Sequence, residues 1–98
     1  MIEIVTTLEF ENWFSSLKDS KGKAAIAVRL DRLELGNPGD SKSVGGGIVE
    51  MRVNFGPGYR IYFTQRGAVF ILVLAGGDKS SQPRDIKRAQ KIAAEWKD

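Results

Sequence analysis

Residues 52–66 read RVNFGPGYRIYFTQR and predict two short strands joined by a glycine-proline turn. Side chains alternate between the two faces of a strand, so Arg52 in the first strand and Arg60 in the second each fall within a polar set. In the first strand the polar set is Glu50, Arg52 and Asn54, and the apolar set is Val49, Met51, Val53 and Phe55. In the second strand the polar set is Arg60, Tyr62 and Thr64, and the apolar set is Ile61 and Phe63. Pairing of the two strands therefore predicts that Arg52 and Arg60 share one face.

Upstream of this hairpin, the sequence predicts a strand and then a helix. The strand covers Ile2–Val5, and Thr6 with Glu9 forms a capping box that opens a helix ending near Lys18. Apolar residues recur along this helix at the spacing of one buried stripe, which is Phe10, Trp13, Phe14 and Leu17. This periodicity favours Trp13 as a core residue over a platform for stacking.

A second helix and a glycine-rich segment lead to the hairpin. The helix begins near Ser20 and ends at Gly36, because glycine is favoured just past a helix C-terminus. Asn-Pro-Gly-Asp at 37–40 and three glycines at 45–47 predict that the whole segment up to the next strand is a loop.

The remaining chain completes an antiparallel meander and ends in a helix. Its strands are predicted at Ile48–Phe55, Tyr59–Gln65 and Ala68–Ala75. The third strand is apolar at nearly every position and is therefore expected to be central and covered on both faces. Residues 76–81 predict a turn, and Ser81 with Pro83 opens the last helix. The order β-α-α-β-β-β-α predicts an α+β protein with a small twisted antiparallel sheet packed against helices.

Composition limits the available chemistry. The 98 residues contain no cysteine and no histidine, which excludes disulfides, thiolate nucleophiles, imidazole bases and the usual zinc sites. The length suits one domain over residues 1–98. The longest apolar run is too short to span a bilayer, and the N-terminus lacks the features of a secretory signal, so a soluble cytoplasmic protein is expected.

Charge is distributed unevenly along the chain. Residues 1–40 hold five Lys and Arg against seven Asp and Glu, whereas residues 41–98 hold ten against five. A basic surface attracts polyanions, and each phosphate contact releases counterions. Nucleic acid is therefore the first partner to consider, although a solvated face of basic side chains would give the same composition.

Four segments together resemble the RelE/ParE toxin superfamily, and most closely its HigB-like branch of addiction module killer proteins. The resemblance covers essentially the whole chain and is carried by RLELGNPGD at 32–40, VEMR at 49–52, GPGYRIYF at 56–63 and GGDKSSQPRDI at 76–86. It implies a RelE-like fold and an endoribonuclease that cleaves messenger RNA, in many members only on the ribosome. It also implies a co-encoded helix-turn-helix antitoxin as partner, with no membrane and no small-molecule cofactor.

The chemistry implied by the resemblance needs no metal, because the substrate's own 2′-hydroxyl is the nucleophile. Arg52 and Arg60 are the predicted clamp for the phosphate, and Lys79 matches a basic position of the family that could stabilise charge or protonate the leaving group. The residues predicted to bind RNA are Tyr59, Tyr62, Arg66 and Arg84. Tyr62 is also a candidate base if neighbouring guanidinium groups lower its pKa.

Other interpretations of the same residues stay open. Arg52 could pair with Glu50 as an ordinary sheet residue, and Tyr59 could pack at the hairpin end. At the level of function, a RelE-like fold also suits a ParE-like toxin that inhibits DNA gyrase by contact, or a degenerate toxin that only binds RNA.

Overall fold

The computed structural model describes residues 1–68 and 70–97, in which five strands and three α-helices form an α+β fold, as predicted. The strands are β1 (Glu3–Thr6), β2 (Ser41–Gly45), β3 (Ile48–Val53), β4 (Tyr59–Arg66) and β5 (Phe70–Asp78). The helices are α1 (Leu8–Ser16), α2 (Ser20–Glu34) and α3 (Gln82–Glu95). A short 3-10 turn, Lys79–Ser81, joins β5 to α3. Val69, at the predicted start of the third hairpin strand, lies outside the described residues.

The five strands form one mixed sheet in the order β1-β5-β4-β3-β2. The predicted meander is present, since β3, β4 and β5 pair antiparallel, but β1 pairs parallel with β5. The predicted antiparallel arrangement therefore holds for β3, β4 and β5 but not for β1, which makes the sheet mixed. Two helices separate β1 from β2, and such a long connection lets the first strand join the far edge of the sheet in parallel orientation.

Strand β2 was missed from the sequence, which predicted a loop from Asn37 to Gly47. It forms a hairpin with β3, and the three glycines at 45–47 all have positive φ angles, between 65° and 96°. The backbone of this turn thus uses the freedom of glycine. The sequence of β2, SKSVG, has little strand propensity, and its pairing with β3 overrides that weak preference.

Strand β5 continues through Gly76 and Gly77, where a turn was predicted. A Cβ on Gly76 would overlap the indole of Trp13, and a Cβ on Gly77 would overlap the carboxylate of Asp85. These glycines are therefore needed because α1 and α3 approach the strand closely, and not because the chain turns there.

Helix α1 begins one residue later than predicted. The hydroxyl oxygen of Thr7 accepts a hydrogen bond from the backbone N–H of Phe10 at 3.0 Å, which makes Thr7 the N-cap. Thr6 is the last residue of β1, paired with Val73 of β5, and its hydroxyl donates to Glu11. The predicted Thr6 and Glu9 capping box is wrong because strand pairing holds Thr6 in the sheet.

Two apolar clusters cover the two faces of the sheet. The cluster beneath α1 and α2 contains Phe10, Ile26, Leu33, Met51, Val53, Tyr59, Ile61, Phe63, Ile71 and Val73, and the cluster beneath α3 contains Ile48, Tyr62, Leu72, Leu74 and Ala89. Alternate residues of β5 enter both clusters, so the prediction that this strand is covered on both faces is confirmed. Phe55, predicted as the last residue of this strand and as part of its apolar set, lies beyond the end of β3 and is exposed.

Candidate functional site

Glu50 is the centre of a polar cluster on the face of the sheet beneath α3. Its side chain is fully buried, and each carboxylate oxygen has two neighbours. Oε1 lies 3.2 Å from Nε of Arg52 and 4.0 Å from Nε of Arg60. Oε2 accepts hydrogen bonds from the hydroxyl of Tyr62 at 3.2 Å and from the amide of Gln82 at 2.6 Å. A buried carboxylate is stable only when it is surrounded by donors of this kind.

The predicted convergence of Arg52 and Arg60 is confirmed. The two residues are direct partners in the antiparallel ladder of β3 and β4, so their side chains leave the sheet on the same face. The Arg52 side chain is 33% exposed and the Arg60 side chain 11%. Arg52 does pair with Glu50, one of the alternatives open from the sequence, but the pair is part of a larger buried cluster.

Arg60 is held by weak polar contacts. Its Nη1 donates to the carbonyls of Gly58 and Tyr59 at 3.4 and 3.3 Å. Its Nε is buried without a hydrogen-bond partner, since Glu50 stands 4.0 Å away. An unsatisfied buried donor is unfavourable, so a small shift toward Glu50 or a bound anion would stabilise this guanidinium.

Lys79 lies near Arg60 at the end of the sheet. Gly58, in the turn between β3 and β4, lies between Lys79 and Arg60 and has a φ of +81°. A Cβ at this position would lie 3.6 Å from both Arg60 Nη1 and Lys79 Cβ. The Lys79 side chain is exposed. Three cationic side chains thus stand along one corner of the molecule, where β4 begins and β5 ends.

Tyr59 does not offer its ring to solvent, contrary to the predicted role in RNA binding. The residue is 5% exposed, and its ring meets that of Trp13 edge-on with centroids 6.0 Å apart. Its hydroxyl donates to Oδ2 of Asp19 at 2.8 Å, and this hydrogen bond, together with burial, raises the pKa of Tyr59. Tyr59 therefore packs at the hairpin end, as the alternative interpretation held.

Tyr62 is fully buried in the cluster beneath α3, so neither of its predicted roles fits its position. A base cannot stack on a ring that has no exposed face. Burial raises the pKa of Tyr62 well above its usual value, and the charge of Glu50 and its hydrogen bond raise it further, which outweighs the opposing effect of Arg60. The condition under which Tyr62 could act as a base is therefore not met, because the lowering by Arg60 is smaller than the combined effect of burial and Glu50.

Arg66 and Arg84 lie away from the pair formed by Arg52 and Arg60. Arg66 is at the other end of β4, about 20 Å along the strand from Arg60, and its guanidinium donates to the carbonyl of Ala93 in α3. Arg84 is exposed in the first turn of α3, where it lowers the pKa of Asp78 by its charge, after the larger effect of hydrogen bonds from Ser80. Arg66 therefore cannot contact the same phosphate group as Arg52 and Arg60.

Two central residues of the cluster were absent from the predicted site. Glu50 carried a signal in the sequence, because it is an acidic residue within a strand, two positions before Arg52 and on the same face. Gln82 carried none, since it comes from the first turn of a helix distant in sequence. Its contact with Glu50 arises only when α3 packs on the sheet.

Two further findings concern metals and membranes. Within residues 1–68 and 70–97, His, Cys, Asp and Glu side chains form no group of three that could hold a metal ion. Over the same part of the chain, no helix has the length and apolar character needed to cross a bilayer.

The fold and the site together define a small α+β protein whose sheet carries paired arginines around a buried glutamate. The model of the phage-derived Gp49-like protein family (DUF891) matches residues 12–97, so the chain belongs to this family, which lies in the RelE-like toxin group. The chain is also similar to an uncharacterized protein of Haemophilus influenzae, with 49% identity over 94 residues. That similarity covers 96% of this chain and 95% of the relative.

Proposed function

We propose that this protein is the toxin of a type II toxin–antitoxin module and that it cleaves messenger RNA, in the manner of HigB-like members of the RelE group. The observation that carries the proposal is the pair of arginines, Arg52 and Arg60, gathered across two strands by the buried carboxylate of Glu50. A guanidinium presents a planar array of donors that matches phosphate oxygens. Two guanidinium groups beside Lys79 are therefore suited to bind a phosphodiester.

Glu50 accepts a hydrogen bond from Nε of Arg52 and stands within ion-pair distance of Nε of Arg60. Both arginines approach its Oε1 through Nε, and Nε is the donor nearest the side-chain stem. The terminal Nη groups then remain for a substrate at the surface, apart from the weak contacts of Arg60 with two carbonyls. Donors fixed before the substrate arrives stabilise developing charge without reorganisation in the transition state.

In the proposed reaction the 2′-hydroxyl of the RNA attacks the adjacent phosphate and releases its proton to solvent water. The new O–P bond forms as the bond to the 5′-oxygen breaks, leaving a 2′,3′-cyclic phosphate and a free 5′-hydroxyl. Arg60 and Arg52 stabilise the added negative charge on the phosphate, and Lys79 donates a proton to the departing 5′-oxygen. The reaction uses no metal and no cofactor. Because both tyrosines are buried with raised pKa values, neither is assigned the role of base.

The proposed partners follow from the same assignment. Messenger RNA is the substrate, the ribosome is a candidate platform for cleavage, and a co-encoded helix-turn-helix antitoxin neutralises the toxin in the cytoplasm. The excess of basic residues in 41–98 supports a polyanionic partner.

A second candidate function is supported by the lack of an assigned general base. Both tyrosines are buried and Glu50 is enclosed by four neighbours, so none of these three residues is placed to accept a proton from a 2′-hydroxyl. A toxin that inhibits DNA gyrase by protein contact, as ParE does, or a toxin that only binds RNA would need no base.

The test is to express the free protein in bacteria and to map new RNA 5′ ends across the transcriptome. We expect growth arrest with new cut sites, and loss of both in Arg60→Ala, because a single transition-state donor is worth about 2.7–4 kcal/mol. Arg32→Ala is the matched control: Arg32 is an exposed arginine of α2, which packs on the opposite face of the sheet from the polar cluster.

The outcomes separate the candidates. Arrest with intact RNA would favour gyrase inhibition, and no arrest would favour a degenerate toxin. Cut sites that persist in a folded Arg60→Ala protein would contradict the assignment of Arg60. The circular dichroism of each variant shows whether it is folded.

A further inference from the structure

An open cleft lies at the edge of the sheet, separate from the arginine pair. It has a volume of about 420 Å³ and is lined by Glu9 and Trp13 of α1, Gly76 of β5, and Arg84, Asp85 and Arg88 of α3. It lies where β5 extends past the end of β1: the pairing of these strands stops at Thr6 and Val73, so α1 and α3 flank the remainder of β5. A cleft of this size is large enough to hold part of a small organic ligand.

The aromatic side of the cleft is the indole of Trp13. This ring lies against the backbone of Gly76. A residue with a Cβ at position 76 would overlap the ring. Phe10 and Tyr59 fix it from the core side, with centroid distances of 5.9 and 6.0 Å. Trp13 is nevertheless only partly buried, so a preformed aromatic surface contributes to the cleft. In proteins that bind single-stranded nucleic acid, the bases stack on aromatic surfaces of this kind.

Charged groups of both signs surround the indole. Arg88 pairs with Glu9 at 3.2 Å, which connects α3 to α1, and both side chains are about half exposed, at 52% and 44%. Such a pair contributes little to stability and can separate readily. Arg84, one helical turn before Arg88, forms no ion pair within the described residues. Asp85 is 8% exposed and accepts a hydrogen bond from Ser81.

This balance of charge distinguishes between possible ligands. Two carboxylates beside two guanidinium groups make the cleft close to neutral, which disfavours a phosphate inside it. A nucleobase suits it better, since the edges of bases carry both acceptors, which pair with arginine, and amino donors, which pair with carboxylates. Unpaired RNA bases are recognised in this way, by stacking on an aromatic ring or a guanidinium and by hydrogen bonds at their edges.

We propose that this cleft binds an unpaired nucleobase of the RNA substrate, stacked against Trp13 and contacted by Arg84. The inference rests on the proposed function and adds a substrate subsite to it. Gly76 lies in the last part of β5, and Lys79 is the first residue after that strand, so about 10 Å of chain separates them. A strand of RNA whose phosphate lies at Arg60 and Lys79 can therefore place a neighbouring base in the cleft.

Tryptophan fluorescence tests this proposal, because Trp13 and Trp96 are the only tryptophans in the chain. In a Trp96→Phe protein the emission comes from Trp13 alone. A short single-stranded 2′-O-methyl RNA, which cannot be cleaved through its 2′-oxygen, is the probe. We expect quenching of Trp13 by this RNA, and none by a chain of the same length without bases.

Two substitutions on α3 locate the contact. Arg84→Gln should weaken binding about tenfold, whereas Lys87→Gln, which removes the same charge from an exposed position outside the cleft, should weaken it much less. Equal effects of the two, or equal quenching by the chain without bases, would overturn the proposal. So would quenching by a peptide of the antitoxin but not by RNA, which would make the cleft a protein contact.

The same assay separates this proposal from the ribonuclease assignment. Arg60→Ala should abolish cleavage; loss of the phosphate contact should raise the RNA concentration needed for quenching, but the quenching of Trp13 at saturating RNA should remain. Quenching without any cleavage by the unaltered protein would retain the base site and contradict only the enzymatic function.

Discussion

Arg52 and Arg60 face each other across the β3–β4 ladder, and both direct Nε toward the same oxygen of Glu50. Like charges in directly opposed positions of a sheet normally repel each other. Here the buried carboxylate between them offsets that repulsion, and Tyr62 and Gln82 satisfy its other oxygen. The close approach of Arg52 and Arg60 therefore depends on the buried carboxylate of Glu50.

Replacement of Glu50 by glutamine should lower the free energy of unfolding by about 2–3 kcal/mol. This is less than the loss for a wholly buried ion pair, because Arg52 reaches solvent, but the two guanidinium groups would then repel each other without compensation. Urea denaturation measures the effect, with Glu3→Gln, at the exposed first residue of β1, as the control. A loss no larger than that of the control would show that Glu50 does not hold the arginines.

Gly77→Ala should lower the free energy of unfolding by about 2 kcal/mol, because the new methyl group overlaps the carboxylate of Asp85. Asp85→Ala removes that carboxylate. In the Asp85→Ala background the same glycine substitution should therefore be much less harmful. A double-mutant cycle by thermal or urea unfolding gives the coupling, and additive effects of the two changes would mean that the close approach of α3 to β5 is not what requires glycine.

Stability should fall in acid partly through Asp19. Hydrogen bonds from the N–H of Gly22 and then from the hydroxyl of Tyr59 lower the pKa of Asp19 below its usual 3.8 in the folded state. The ionised form thus stabilises the fold; this stabilisation is present above the unfolded-state pKa and is lost as pH falls through the folded-state pKa.

Asp19→Asn should therefore be less stable than the unaltered protein at neutral pH and should lose less stability as the pH is lowered toward 3. Urea unfolding at a series of pH values checks this, with Asp31→Asn on the exposed side of α2 as control. A part of the acid effect should persist in Asp19→Asn, since hydrogen bonds from Ser80 also lower the pKa of Asp78. Parallel pH profiles of the Asp19 variant and the unaltered protein would contradict the assignment.

Neither tyrosine should ionise at its usual pKa of about 10 while the protein is folded. The pKa of Tyr62 is raised by burial and by Glu50, and that of Tyr59 by its hydrogen bond to Asp19. The neutral phenols stabilise the fold below the unfolded-state pKa. This stabilisation is lost as the pH rises through the folded-state pKa values. Ultraviolet titration should show tyrosinate only above pH 10, together with loss of tertiary structure. A tyrosinate signal below the usual pKa in the folded protein would restore Tyr62 as a candidate base.

Local patterns in the sequence determined the elements that have strong periodicity of their own. The alternation in 48–66 correctly assigned Arg52, Arg60 and Tyr62 to one face, and the apolar run of β5 correctly predicted burial on both sides. These patterns suffice because each depends on residues close together in the chain. The weak strand β2 and the extension of β5 through two glycines lack such a pattern, since contacts with β3, Trp13 and Asp85 determine them.

The sequence by itself therefore determined which chemical groups this protein can use: arginines and a lysine on a basic half, with neither histidine nor cysteine. Only the tertiary structure decided how they are combined. It buried Tyr59 and Tyr62, placed Gln82 on Glu50, and separated Arg66 from Arg60 by most of a strand. The physical reason is that burial, and with it pKa and access to a ligand, arises where distant segments pack together, and no local spacing encodes that packing.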